Sequence, residues 1–306
     1  MNRHFFPAVG GSVIHPRNEY AVNLTKFFGL NRTHDFPIAL TFGLYDGNEI
    51  VFQSHRYRFL SSLINQLRLL WRYGVDLFNL DPWIEGMLKW YGKIYPAQRA
   101  KTAFSSVYDL FHSMNSLFDD MVGTTIGKYL TELGFGQRFN KELARIAMRC
   151  NYGQDLDIHA FVGAISLAGT QGGLWSVKDG NFRIAEEALK ASEAVWERRQ
   201  VTTIEEVTGG SASPSTFRLV SLDADGVSKE EVYDAVILAV PCTVEGCGGI
   251  QFKVEGMEKK LTQFPATYHR TVANFVKVSS FVGWHPFDAG PDFSFREIFI
   301  LTFNAG

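Results

Sequence analysis

The sequence predicts a mixed α/β (α+β) fold in which β-rich ends flank a helical block. Three observations support this fold class. Residues 56–166 repeat apolar side chains at helical spacing, the segments after residue 200 alternate apolar and polar residues or run continuously apolar, and glycine or proline separates most elements. The 306 residues are 46% hydrophobic, which supports a sizeable core and excludes a disordered chain.

Near its start the chain predicts short elements. Residues 9–14 resemble a short strand, Asn18 is placed to cap a helix, and Gly29 is placed to end it. The Asp46-Gly47 pair between two β-rich runs indicates a hairpin.

The central block predicts a series of helices. Asp81-Pro82 supplies a cap and a first-turn proline, so a helix should begin there. A glycine-rich linker with an exposed Trp175 follows, and Asn181 should start a helix that runs to residue 199. The predicted helices of the block span residues 57–73, 82–94, 105–113, 124–133, 138–149 and 157–167.

The last third predicts strands. Residues 200–207 and 215–222 alternate, and residues 268–282 alternate again. Residues 233–240 are apolar apart from Asp234, which is typical of a parallel strand buried on both faces, and Pro241 ends that strand. Residues 298–303 form a further strand with no partner after it.

The charge composition excludes two classes of partner. Lys and Arg number 30 against 32 Asp and Glu, so we expect no nucleic acid and no polybasic membrane anchor. The longest apolar stretch, residues 59–80, contains Arg68, Arg72 and Asp76 and predicts an amphipathic helix rather than a transmembrane span. The first residues lack the apolar core of a signal peptide.

Metal and acid–base motifs are not legible. Cys150, Cys242 and Cys247 do not have zinc-site spacing, and they are either ordinary thiols or include one small disulfide. Neither a Ser/His/Asp arrangement nor a paired-carboxylate pattern appears. The glycosylation sequons at Asn23 and Asn31 are no more frequent than chance.

Two segments have residues suited to a binding site. The Gly10-Gly11 pair, followed by Ser12 and His15, permits close approach to the backbone, although a structural turn explains the glycines equally well. The polar segment 151–159 could line a pocket, or Asp157 could be a plain helix cap. The phosphate-binding glycine fingerprint is absent, and the nearest misses are residues 134–139 and 246–251.

Several strings together resemble the prenylcysteine oxidases, also called prenylcysteine lyases, including their prenylcysteine oxidase-like branch. The resemblance runs from Gly10 to about Phe281 and two of the strings echo the wider flavin amine oxidases. The strings are GGSVIHPRN (10–18), LLWRYG (69–74), AFSSV (103–107), NYGQ (151–154), AFVGAISLAGTQGGLWSV (160–177), GN (180–181) and YDAVILAVP (233–241).

The resemblance implies a two-domain FAD enzyme of the glutathione-reductase/amine-oxidase type. Such enzymes cleave the thioether of farnesyl- or geranylgeranyl-cysteine with oxygen, giving cysteine, an isoprenoid aldehyde and hydrogen peroxide, and they are lysosomal glycoproteins. The cofactor performs the hard step, so the absence of an acid–base motif is unsurprising and no catalytic residue is assigned. By the same resemblance, residues 1–55 and 171–245 belong to the FAD domain, residues 56–170 to the helical substrate domain, and residues 246–306 to its sheet.

The resemblance also assigns cofactor contacts. Gly10, Gly11, Ser12 and His15 match the loop beside the flavin, Val201 matches the strand that meets the adenine, and Ala239 and Pro241 match the strand end near the cofactor.

The family pattern begins before this chain and continues after it, so we expect a chain truncated at both ends. As written, it should hold no stoichiometric FAD. The alternative function is therefore a non-catalytic apolar-ligand or interaction protein.

Overall fold

The computed structural model describes most of the chain. The described residues are 11–33, 43–45, 50–53, 61–207, 215–269, 271–278 and 298–305. Gly10 and the Asp46-Gly47 turn lie outside them. The structure divides into two compact units, residues 1–192 with 271–306 and residues 193–270. The division into cofactor and substrate domains made from the sequence stays a prediction.

The described residues form a mixture of helices and strands, which confirms the mixed fold class. A π-helical segment, Asn140–Ala144, joins α8 to α9. The helices are α1 (Glu19–Phe27), α2 (Ser61–Tyr73), α3 (Asp76–Tyr91), α4 (Ile94–Arg99), α5 (Val107–Met114), α6 (Leu117–Gly123), α7 (Ile126–Glu132), α8 (Gln137–Phe139), α9 (Arg145–Tyr152), α10 (Ala160–Ala168), α11 (Phe182–Ala191) and α12 (Met257–Leu261). The strands are β1 (Arg32–Thr33), β2 (Gly43–Tyr45), β3 (Ile50–Gln53), β4 (Ser176–Val177), β5 (Gln200–Val207), β6 (Thr216–Leu222), β7 (Ser228–Tyr233), β8 (Cys242–Thr243), β9 (Gly246–Cys247), β10 (Gln251–Lys253), β11 (Thr271–Val278) and β12 (Ile298–Ala305).

Helices α3 to α10 enclose one continuous apolar core. Phe118 is fully buried at its centre and contacts the rings of Tyr91, Phe111 and Phe161. Gly163 allows α10 to approach α7 closely, because a Cβ atom at this position would lie 2.5 Å from the Ile126 side chain. The sequence correctly predicted that this block is helical.

The predicted start of the second helix in the block, at Pro82, was wrong. Helix α3 begins at Asp76, and Pro82 lies inside it rather than at its start. The helix is already established upstream, because the N–H groups of Phe78 and Asn79 donate to the carbonyl of Val75. An interior proline costs about 3 kcal/mol in a helix. Burial of Leu80 and other apolar side chains on the same helix offsets that cost.

The N-terminal ribbon, residues 11–20, joins a small sheet. Ile14 forms a two-hydrogen-bond bridge with Trp175, with N···O distances of 2.7 and 3.1 Å, and β1 pairs antiparallel with β4 on the same segment. A strand was expected over residues 9–14. The structure describes residues 11–14 of that segment, and among them only Ile14 pairs with another segment. Trp175 is 1% exposed, so its predicted exposure was wrong: the glycine-rich segment is a strand partner, and the ring lies beneath Arg32 at 4.1 Å.

In the first unit, helix α1 has the predicted ends, whereas helix α11 is shorter than predicted. Asn18 caps α1 as predicted, because the Ala21 N–H donates to its Oδ1 at 3.0 Å, and Gly29 follows the helix with φ +64°. Helix α11 is shorter than expected and ends at Ala191 rather than at residue 199.

Separate antiparallel pairs join β2 to β3 and β11 to β12, so the strand expected at residues 298–303 has one paired edge.

The second unit contains a four-stranded sheet in the order β10-β5-β6-β7. Strand β10 is parallel to β5, and the other two pairs are antiparallel. These strands confirm the predictions for residues 200–207 and 215–222. A disulfide joins Cys242 to Cys247 across β8 and β9, which settles the cysteine alternatives in favour of one small disulfide and leaves Cys150 as a free thiol.

The prediction of a buried parallel strand at residues 233–240 was wrong. Strand β7 ends at Tyr233 on the edge of the sheet, and residues 234–240 are in no ladder. Ile237 is 91% exposed. A strand can be buried on both faces only where other elements cover it, and the described part of this unit provides no partner strand for residues 234–240.

Candidate functional site

The first unit contains a cavity of about 1030 Å³. Three segments and Leu174 line it. The segments are the N-terminal ribbon with the start of α1, residues 88–98 of α3 and α4, and residues 150–169 of α9 and α10. The cavity therefore lies between the segment that resembles a flavin loop and the helical block that resembles a substrate domain.

Asn181 fixes the first residue of the ribbon. Its Nδ2 donates to the Gly11 carbonyl at 2.6 Å, and its Oδ1 accepts from the Val177 N–H at 2.8 Å. The sequence predicted only a helix start at Asn181, and the structure makes no side-chain cap there. The only sequence signal for this contact was the GN pair shared with the family, since the partners are 170 residues apart.

Gly11 has φ +56°, a left-handed conformation that suits glycine. A Cβ atom at this position would meet no atom within 4 Å. The space beside this peptide is therefore open to a ligand.

A ring of hydrogen bonds connects the ribbon to α3. The Arg17 N–H donates to His15 Nδ1 at 3.2 Å, so a neutral imidazole carries its proton on Nε2, which then donates to Gln171 Oε1 at 3.3 Å. Gln171 Nε2 donates to Glu85 Oε1 at 3.1 Å, and Arg17 Nη2 donates to Glu85 Oε2. The ring holds His15 and Arg17 at the rim of the cavity.

Tyr95 connects the ribbon to α4. Its hydroxyl accepts from the Glu19 N–H and donates to the Arg17 carbonyl, both at 3.2 Å. Nearby, the Tyr20 hydroxyl donates to Gln98 Oε1 at 2.9 Å, and its ring meets the Tyr95 ring edge-on at 5.6 Å. Polar, charged and aromatic side chains therefore line this part of the cavity together.

The inner wall is formed by α9 and α10. Ser166 Oγ donates to the Ala147 carbonyl at 3.0 Å and accepts from Asn151 Nδ2 at 2.9 Å, so its hydrogen-bonding groups are occupied within the wall. Cys150 lines the same wall with its surface exposed, and the protein atoms packed around it partly desolvate the thiol and raise its pKa. Asn151 and Tyr152 also line the cavity, as segment 151–159 suggested, whereas the cap of α10 is His159 rather than Asp157.

The structure brings some of the predicted site residues together. Gly11, Ser12 and His15 lie on the cavity. Val201 lies in β5 opposite Ser221, and Ala239 and Pro241 follow β7, all three in the second unit. The cofactor roles of these residues stay predictions.

The described residues contain neither a cluster of metal-ligand side chains nor a membrane-spanning helix. His, Cys, Asp and Glu side chains nowhere group in threes as a metal site requires. No helix among them combines the length and apolarity needed to span a membrane.

Comparison with known proteins identifies relatives over most of the chain. The family model described as Prenylcysteine lyase matches residues 59–303. Prenylcysteine oxidase 1 of Bos taurus is 35% identical over 76% of this chain and 45% of its own length, and that of Homo sapiens is 33% identical over 88% and 52%. Prenylcysteine oxidase 1-like of Mus musculus is 27% identical over 87% of this chain and 52% of its own length. The chain spans about half the length of these relatives, and it belongs to the prenylcysteine lyase family.

Proposed function

We propose that this chain binds prenylcysteine in the cavity of its first unit and belongs to an FAD-dependent thioether oxidase. The supporting observation is that one cavity is lined both by the ribbon that resembles the flavin loop and by the helical block. Its volume of about 1030 Å³ lies at the upper end of the range for ligand sites.

The cavity lining matches the two ends of a prenylcysteine. Apolar side chains such as Leu88, Tyr91 and Ile165 suit the hydrocarbon chain. Arg17, Glu19 and Lys89 at the rim carry both signs of charge, as the ammonium and carboxylate of a cysteine head require. A ligand with its tail inside and its head at the rim places the thioether between them, next to the ribbon.

The ribbon suits the ring of a flavin. Gly11 leaves its peptide face open, and Asn181 holds the Gly11 carbonyl so that the backbone presents a fixed edge. When bound there, FAD supplies a hydride acceptor for the carbon next to sulfur, with oxygen as the final acceptor. Gly11 and Ser12 would hold the ring through backbone groups, and the hydrogen-bond ring through His15 would keep this edge in place.

The proposed oxidation converts a prenylcysteine, water and oxygen into cysteine, an isoprenoid aldehyde and hydrogen peroxide. The carbon next to sulfur loses a hydride, water adds to the sulfur-stabilised cation, and the hemithioacetal breaks its carbon–sulfur bond. Cysteine and an isoprenoid aldehyde leave, while oxygen takes the two electrons and becomes hydrogen peroxide. The lysosomal location is a further proposal that rests only on the family.

Alkylation of Cys150 tests whether prenylcysteine binds in the cavity, because Cys150 is the free thiol and it lines the cavity. Farnesylcysteine should slow alkylation of Cys150 at least several-fold in the full 306-residue chain, whereas cysteine should not. A Cys150→Ser variant should take up no label. Equal alkylation rates with and without farnesylcysteine would reject the proposed site. A second measurement, peroxide production after FAD is added with farnesylcysteine, would distinguish an oxidase from a protein that only binds the ligand.

A further inference from the structure

The carboxylates and cations that line the cavity differ in whether a partner neutralises them. Arg17, Glu19 and Lys89 are the charged side chains among the described lining residues, and all three are exposed. Arg17 Nη2 donates to Glu85 Oε2, and Arg99 Nη1 donates to Glu19 Oε2 at 2.8 Å. The charges of Arg17 and Glu19 are therefore balanced by neighbouring side chains of the same chain.

Lys89 is not neutralised in this way. Among the described residues, its ammonium group has neither an ion-pair partner nor a hydrogen-bond partner. Its Nζ lies 6.0 Å from the centroid of the Trp90 ring, which is the outer limit for a cation–π contact. The lining therefore presents one uncompensated positive charge, at the end of a flexible four-carbon stem.

We propose that Lys89 binds the carboxylate of the prenylcysteine head, so that the cavity prefers the free acid to its methyl ester. This inference rests on the proposed function, because it takes the cysteine head to lie against the exposed charged residues. A carboxylate gives the Lys89 ammonium its counter-ion without breaking a contact, whereas Arg17 would have to leave Glu85 to bind it. The ester keeps the ligand's ammonium, thioether and chain but carries no anion, so Lys89 gains no partner from it.

The expected preference is modest, because Lys89 is exposed. Ion pairs at exposed sites contribute up to about 1 kcal/mol, so Kd for farnesylcysteine should be about threefold to fivefold lower than Kd for its methyl ester at low salt. Raising the ionic strength from about 0.01 M to about 1 M shortens the Debye length from about 30 Å to about 3 Å, and the preference should shrink accordingly.

The test measures both Kd values by isothermal titration calorimetry, for the full 306-residue chain and three variants. Lys89→Met removes the charge and keeps a similar unbranched stem, so the preference should disappear. Lys89→Arg keeps the charge, so the preference should persist. Lys93→Met is the matched control, because the exposed Lys93 has its Nζ 4.2 Å from the centroid of the same Trp90 ring but does not line the cavity.

The outcomes separate this inference from the function it rests on. A preference for the acid that disappears in Lys89→Met and persists in Lys89→Arg and Lys93→Met supports it. Equal Kd values for the acid and the ester in the unmodified chain, or a preference that survives in Lys89→Met, would overturn the inference and leave prenylcysteine binding standing. An equal loss in Lys93→Met would overturn it too, since general surface charge would then be responsible. Failure of the unmodified chain to bind either ligand overturns both.

Discussion

The helical block and the second unit differ in how they bury apolar side chains. The block encloses a continuous core in which Phe118, Phe139 and Leu130 are fully buried. In the described part of the second unit, the buried apolar side chains are Ile204, Cys242, Cys247 and Met257. Large apolar side chains of that unit are instead exposed, among them Trp196 and Ile237.

This difference bears on where a ligand is expected to bind. A core that fills its own space can hold a shaped, mostly apolar cavity at its edge, because the surrounding side chains are fixed. The sheet of the second unit has few buried apolar residues, so burial contributes less to its stability. We therefore place ligand recognition in the first unit and expect the two regions to respond differently to mutation.

The largest effect is expected from Phe118. Phe118→Ala removes a fully buried ring that contacts three other aromatic rings, so the free energy of unfolding should fall by about 3–5 kcal/mol. Phe78→Ala is the control, since Phe78 is exposed on α3 and its loss should cost no more than about 0.5 kcal/mol. Urea unfolding followed by circular dichroism measures both, and equal losses would contradict the packing described for the block.

An intermediate effect is expected from pH. Burial and a 3.0 Å hydrogen bond that the Tyr73 hydroxyl donates to Glu142 raise the pKa of Tyr73 from 10.0 to about 12. Because the folded pKa is above the unfolded value, the associated stability is present below pH 10 and is lost as pH rises towards 12. The loss amounts to about 2–3 kcal/mol for a shift of this size.

Tyr73→Phe tests that linkage. It removes the titrating hydroxyl, so the unfolding free energy of the variant should decline less between pH 9 and pH 11.5 than that of the unmodified chain. Urea unfolding at the two pH values gives the difference. A variant with the same alkaline decline would show that Tyr73 does not contribute it.

The smallest effect is expected at Ile237. Ile237 is 91% exposed, so Ile237→Ala should change the unfolding free energy by no more than about 0.5 kcal/mol. Ile204 is 4% exposed in the same unit, and Ile204→Ala should cost at least about 2 kcal/mol. Comparable losses in the two variants would mean that residues 234–240 are buried after all, as the apolar run suggested.

Local patterns in the sequence were sufficient where the contacts are local. Asn18 caps α1 through a group three residues away, and the alternation of residues 200–207 yields a strand. The errors arose where the local structure depends on a partner that is distant in the sequence. Trp175 is buried because it pairs with Ile14, a residue distant in the sequence. Residues 234–240 are largely exposed, because no described strand lies beside them.

The candidate site shows the same limit. The ribbon and segment 151–159 were recognised by family resemblance and by their polar residues. Asn181 was predicted only as a helix start and Glu85 was not predicted at all, because their partners Gly11, Arg17 and Gln171 lie between 68 and 170 residues away. A cavity shaped by such contacts becomes visible only in the structure.

The central claim, that prenylcysteine binds in the cavity of the first unit, is tested most directly by photoaffinity labelling. A farnesylcysteine analogue with a diazirine at the end of its chain is bound to the full 306-residue chain, irradiated, and mapped by mass spectrometry after digestion. We predict labels within residues 88–98 and 165–174, suppressed by excess farnesylcysteine. Labels confined to residues 193–270, or labels that farnesylcysteine does not suppress, would contradict the account.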